Sequence, residues 1–126
     1  MKNKTILIVD DEQNIREALR DKFTNEGYNA LTAPDGVAGL TIALKDHPDI
    51  IILDVIMPNK NGWEVLEELR NDTWGTHVPV IMLTVLDDIT SASHAMKYGS
   101  FDILVKNNWK LADIVARVNK RLNTPV

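Results

Sequence analysis

The run Ile50-Ile51-Ile52-Leu53-Asp54 decides the fold. An unbroken apolar stretch rich in β-branched residues is too short for a stable helix. It also lacks the alternation of a strand with one wet face, so it predicts a strand covered on both sides, as in a parallel sheet. Thr5–Val9 reads the same way and is cut off as sharply, by Asp10-Asp11. Working outward from these two runs, segments of helical period alternate with short apolar ones. Ile15, Ala18, Leu19 and Phe23 recur at helical spacing, with Gly27 as a stop. Asn29–Thr32 is a short strand. Pro34-Asp35-Gly36 turns the chain into a second helix with Val37, Leu40 and Leu44 expected inward, and His47-Pro48-Asp49 breaks it. Val65, Leu66 and Leu69 share a face after Gly62. Pro79 opens the strand Val80–Leu83, and Ile89, Ala92 and Met96 mark a fourth helix that stops near Gly99. Ile103–Val105 is a last strand, and Leu111, Ile114, Val115, Val118 and Leu122 form a closing helical stripe that Asn107 or Asn108 can cap. About five β–α units in succession predict an α/β fold, a parallel sheet with helices on both faces.

Composition narrows the function. The chain has 126 residues and carries no linker, repeat or low-complexity stretch, so residues 1–126 are expected to form one domain. A net charge of −4 argues against nucleic-acid binding through bulk charge. The absence of cysteine excludes disulfides, thiolate metal sites and cysteine nucleophiles. The first apolar run is too short for a signal segment or a membrane span, so a cytoplasmic protein without membrane attachment is expected.

In open parallel sheets, ligands bind at the carboxyl ends of the strands. Here the strand ends present Asp10-Asp11, Asp54, Thr84 and Lys106. Taken alone, Asp10-Asp11 reads better as a helix cap, Thr84 as a turn residue and Lys106 as a solvated charge, while Asp54, directly after four apolar residues, is the sharpest signal. Together, at four strand ends, they make a chemical set. Three carboxylates on one edge repel one another and attract a hard divalent cation such as Mg²⁺. A lysine and a hydroxyl suit phosphoryl oxygens, and a carboxylate is a competent nucleophile toward phosphorus.

These residues resemble the receiver domains of two-component response regulators, the chemotaxis regulators among them. Ile6–Glu12 is similar to the family's opening strand and acidic pair. Asp54-Val55-Ile56-Met57-Pro58-Asn59-Lys60-Asn61-Gly62 matches the pattern D-x-x-M-P-x-x-x-G, and Pro79–Thr84 and Gly99–Lys106 resemble the fourth and fifth strands with their hydroxyl and lysine. The resemblance implies a flavodoxin-like sheet with strand order 2-1-3-4-5. It implies Asp54 as acceptor of a phosphoryl group from a phosphohistidine, and Mg²⁺ held by Asp10, Asp11, Asp54 and the backbone carbonyl of Ile56. Thr84 and Lys106 would hold phosphoryl oxygens. It implies a signalling domain rather than an enzyme, with a sensor histidine kinase or phosphotransfer protein upstream and an effector protein or domain downstream. It also implies a homodimer through the last two helices and last strand, with Asp102 and Arg117 paired across it. A phosphorylation-independent pseudo-receiver is the alternative. A cofactor-binding flavodoxin-like protein is rejected, because Asp10-Asp11-Glu12 would repel a phosphate that arrives without a metal.

Three positions depart from the family pattern. Asn107 replaces the usual proline after Lys106, so a trans peptide is expected there, since cis before a non-proline residue costs about 2.5–4 kcal/mol. Ile103 stands where an aromatic switch residue is common, and Val85 where a small residue is. Ile56 and Leu86 would flank the path of a hydrolysing water and cannot hydrogen-bond it, so a long-lived phosphorylated state is expected. His47, His77 and His94 have no ligand-like spacing, and Trp63, Trp74 and Trp109 are expected to pack at least partly.

Overall fold

The computed structural model describes residues 4–84, 102–105 and 110–123. The chain runs β1 (Thr5–Val9), α1 (Gln13–Asn25), β2 (Asn29–Ala33), α2 (Gly36–Asp46), β3 (Ile50–Asp54), α3 (Gly62–Arg70), β4 (Val80–Thr84), β5 (Asp102–Val105) and a last helix, Leu111–Asn123. The five strands form one parallel sheet in the order β2-β1-β3-β4-β5, as the resemblance implied. The expected helix around Ile89, Ala92 and Met96 lies outside the described residues.

The unbroken apolar strands serve two cores, because successive side chains leave a strand on opposite faces. Leu7, Val9, Ile51, Leu53, Val80 and Met82 pack with Val65, Leu66 and Leu69 of α3 and Ala43 of α2. Ile6, Ile8, Ile50, Ile52, Ile81 and Leu83 pack with Leu19 and Phe23 of α1 and with Ile114, Val115 and Val118 of the last helix. Each fully buried aliphatic side chain contributes about 1.5–3 kcal/mol, so β3, buried at every position, is the mechanical centre of the sheet.

One expected helix face is corrected. Val37 and Leu44 point outward, 51% and 39% exposed, while Gly36, Gly39 and Ala43 face the sheet and Leu40 is half-buried. The reason is distance. A Cβ on Gly39 would come within 2.8 Å of Val9, and one on Gly36 within 2.3 Å of the Lys60 carbonyl oxygen. The helix lies so close to β1 and the β3–α3 loop that only its small residues fit beneath it.

Other local signals hold. α1 ends at Glu26, with Gly27 at φ 96°. Asp35 caps α2 through the Ala38 amide, and His47 terminates that helix in a left-handed conformation. The start of the last helix is held by Asp113, whose carboxylate accepts from the Lys110 amide; Asn107 and Asn108 lie outside the described residues. Trp63 and Trp74 are half-buried against the α2–α3 side, as is Ile103.

Candidate functional site

β1 and β3 are paired in register from Ile6 with Ile50 to Val9 with Leu53. The next residue on each chain is an aspartate, so the ladder itself brings Asp10 and Asp54 to neighbouring strand ends. Both are buried, at 0% and 2% exposure. Taking an ionised carboxylate out of water costs several kcal/mol before compensation, more than one buried aliphatic residue returns. Two such groups side by side mark a candidate functional site.

Asp11 and Glu12 lie next to this buried pair and face solvent. The carboxylates of Asp10, Asp11 and Glu12 bring ligand oxygens within 4.8 Å of one another. An all-oxygen, partly exposed set of this kind fits a hard cation that keeps some of its waters, which is the behaviour of Mg²⁺. Glu12 is the member that sequence reasoning did not assign to the metal. Its signal was in plain view, as the third acid of the run Asp10-Asp11-Glu12.

The backbone around Asp10 is fixed from three directions. Its amide donates to the Ala33 carbonyl at 3.2 Å, its own carbonyl accepts from Arg16 Nη1 at 2.9 Å, and its Oδ1 accepts from the Glu12 amide at 2.9 Å. The capping role considered for Asp10 is thus present in part: its carboxylate orders the entry to α1, while the formal cap, Glu12, makes no side-chain capping bond.

Asp54 is fixed from behind. The Val55 amide donates to the Leu83 carbonyl at 3.0 Å, and the Gly62 amide donates to the Val55 carbonyl at 2.8 Å, closing the loop between them. Gly62 approaches so closely that a Cβ there would sit 2.3 Å from the Asp54 carbonyl oxygen. Within the loop, Asn59 takes φ 71°, a conformation asparagine tolerates better than most residues. Asn61 and Glu64 then form a reciprocal capping box, 2.9 Å in each direction, that starts α3. Lys60 pairs with Glu68, which holds the lysine pKa above its ordinary value. Met57 is buried and Ile56 is 59% exposed.

Thr84 ends β4 and is paired with Val105, the residue before Lys106. Lys106 itself, with Val85, Leu86, His94, Asn107 and Trp109, lies outside the described residues, so the expected trans peptide after Lys106 does too. His47 and His77 are not drawn into the acidic edge. His47 stacks on Trp74, ring centroids 4.4 Å apart and planes 11° from parallel, and His77 is exposed in the α3–β4 connection.

A doubly wound parallel sheet with buried and exposed acids at the carboxyl ends of β1 and β3 is an α/β domain with a candidate cation site at the edge where such sheets bind ligands. The comparison with known proteins gives the family. Residues 6–119 match the response regulator receiver domain, and the chain belongs to that family, the receiver domains of two-component systems. A protein described as the probable transcriptional regulator ycf27 of Galdieria sulphuraria is 40% identical over 105 residues, 83% of this chain and 40% of that protein. Response regulator PleD of Caulobacter vibrioides is 42% identical over 102 residues, 80% of this chain and 22% of its own. The chain thus spans about two-fifths or less of these relatives. Among solved structures, chemotaxis response regulator CheY4 of Vibrio cholerae superposes with a TM-score of 0.86 at 28% identity, covering 94% of this chain and 98% of that one. A receiver domain protein from Clostridium thermocellum gives 0.85 at 32% identity, covering 95% and 94%. Among the described residues, no helix is long and apolar enough to cross a membrane.

Proposed function

We propose that Asp54 accepts a phosphoryl group from a histidine kinase or phosphotransfer protein. A carboxylate oxygen of Asp54 attacks phosphorus, the P–N bond of the phosphohistidine breaks, and the imidazole leaves. The observation that carries this reading is the burial of Asp54 beside Asp10 at adjoining strand ends, with Asp11 and Glu12 next to them. Asp10, Asp11 and Asp54, with the Ile56 carbonyl and assistance from Glu12, would hold Mg²⁺. When bound, that ion supplies positive charge against the carboxylates and the phosphoryl oxygens. Thr84 and Lys106 would take the remaining phosphoryl oxygens. The chain's own part is positional: the β1–β3 ladder and Gly62 hold the acceptor, and the closed loop 55–61 keeps its approach fixed.

On this reading residues 1–126 form one cytoplasmic receiver domain, which signals to an effector through conformational change and is not itself an enzyme. Homodimerisation through the last strand and the last two helices, with Asp102 facing Arg117, belongs to the same reading. The pseudo-receiver alternative is disfavoured by the cost of keeping Asp10 and Asp54 buried without a use for them.

The test is the mass of the chain after incubation with acetyl phosphate and Mg²⁺. One phosphoryl adduct is expected in wild type and none in Asp54→Ala. After removal of the donor the adduct should decay slowly, because Ile56 offers an attacking water no hydrogen bond. An unlabelled wild-type chain would establish the pseudo-receiver, and a labelled Asp54→Ala would move the acceptor elsewhere.

A further inference from the structure

The charge at the start of α1 runs against the helix dipole. Acids favour the first turn of a helix and cations the last. The first turn of α1 carries no acid, and it is closed by Arg16, the fourth residue of the helix. Helix stability therefore does not account for an arginine here, but its partner does. Arg16 Nη1 donates to the Asp10 carbonyl at 2.9 Å, so the cation is spent on the backbone of the acidic run.

That bond closes a ring. The Arg16 amide donates to the Glu12 carbonyl at 2.9 Å, and the Glu12 amide donates to Asp10 Oδ1 at 2.9 Å. The Arg16 side chain then returns to Asp10. Asp11 is the exposed acid enclosed between Asp10 and Glu12. Asp10 is fully buried and is also held by its amide bond to Ala33. Asp11 has no strand to hold it, because β1 ends at Val9. The Asp10 carbonyl and the Asp11 amide belong to one planar peptide unit, so fixing that oxygen fixes the plane from which Asp11 leaves the chain.

A carbonyl just past the end of a strand needs a donor, and water or a neutral side chain would serve. A guanidinium adds two things. Its planar fork holds a direction, and its charge lies close to the acids. The two act on a divalent cation with opposite sign. Holding Asp11 in place removes ordering that binding would otherwise cost, whereas a positive charge repels the ion. Arg16 is half-buried, so water screens part of its repulsion, while the hydrogen bond to Asp10 is not screened. We propose that Arg16 is a positioning residue for the cation site: it holds the Asp10–Asp11 peptide so that the Asp11 carboxylate is presented to Mg²⁺, and this outweighs its repulsion of the ion. The proposal rests on the reading of Asp10, Asp11 and Asp54 as the Mg²⁺ site of a phosphoacceptor.

The test is a Mg²⁺ titration of the full ¹⁵N-labelled chain, read from the Asp11 and Glu12 amides by NMR with no phosphoryl donor present. Arg16→Met keeps the apolar stem and removes donor and charge, and its dissociation constant should rise about tenfold. Arg16→Lys keeps the charge and loses the fork, and its constant should rise about threefold. Arg20→Met, one turn further along α1, removes an equal charge from an exposed position and should bind as wild type does. Unchanged or tighter binding in Arg16→Met would overturn the proposal and leave Arg16 as a charge that offsets the acids. Equal weakening in Arg20→Met would overturn it too. If Arg16→Met does not fold, Arg16→Lys decides by itself, and wild-type affinity there would overturn the proposal. A wild-type chain without saturable Mg²⁺ shifts would overturn the reading of the site itself, and the proposal with it.

Discussion

The two ends of the sheet are built by different means. At the carboxyl end, Asp10 and Asp54 are placed by the strand ladder itself, each the next residue after a paired, fully buried run. At the amino end, Arg70 and Arg121 are placed by a folded connection and by the last turns of two helices. The acidic edge therefore inherits the rigidity of β3, while the basic end depends on the hydrogen bonds of residues 71–79. Side chains set by a ladder tolerate little backbone displacement, and those set by a loop can be disturbed without touching the ladder.

Paired glycine substitutions separate the two ends, and they should give the largest effects. Gly62→Ala forces a Cβ against the Asp54 carbonyl, and Gly75→Ala forces one against the Leu69 carbonyl. Both contacts are with backbone, so each variant should lose roughly 1–3 kcal/mol or more by urea unfolding. Only Gly62→Ala should also slow labelling of Asp54 by acetyl phosphate. Equal labelling in the two variants would mean that the acceptor is not held from behind by Gly62.

A smaller effect tests the charge at the acidic end. With no cation, the carboxylates of Asp10, Asp11, Glu12 and Asp54 repel. Mg²⁺ at about ten times its dissociation constant should stabilise the fold by roughly 1.4 kcal/mol, a shift of a few degrees in Tm. Asp54→Asn should raise the melting temperature of the Mg²⁺-free chain in the same direction. If thermal melts show neither rise, the acids do not act as one cluster.

The smallest effect lies at the amino end, away from the acidic edge, and serves as the reference. Tyr28 is buried against Phe23 in an edge-to-face contact, and its hydroxyl donates to Asn119. Burial first, and Glu26 second, raise its pKa. A phenol that is harder to ionise in the folded state gives stability that is complete below its unfolded pKa of about 10 and is lost as pH rises through the folded value. Tyr28→Phe should therefore flatten the alkaline limb of stability above about pH 10 while leaving Asp54 labelling unchanged. An identical alkaline limb in the variant would show that Tyr28 makes no contribution there.

The sequence by itself determined the sheet and the acids. Unbroken apolar runs such as Ile50–Leu53 admit only a strand covered on both faces, and a charged residue directly after such a run has to lie at its carboxyl end. The motif around Asp54 was legible for the same reason, since its spacing from Gly62 is a local property of one loop. Tertiary structure alone decided what depends on distance between elements. The helical period places Val37, Leu40 and Leu44 on one face, but it does not say that α2 approaches β1 closely enough for only Gly36, Gly39 and Ala43 to fit beneath it. Nor could it bring Arg70 to Arg121, which are far apart in the chain and meet because α3 and the last helix both finish at the amino end of the sheet. Periodicity orders residues along one element, whereas close approach is a relation between elements and exists only once they pack.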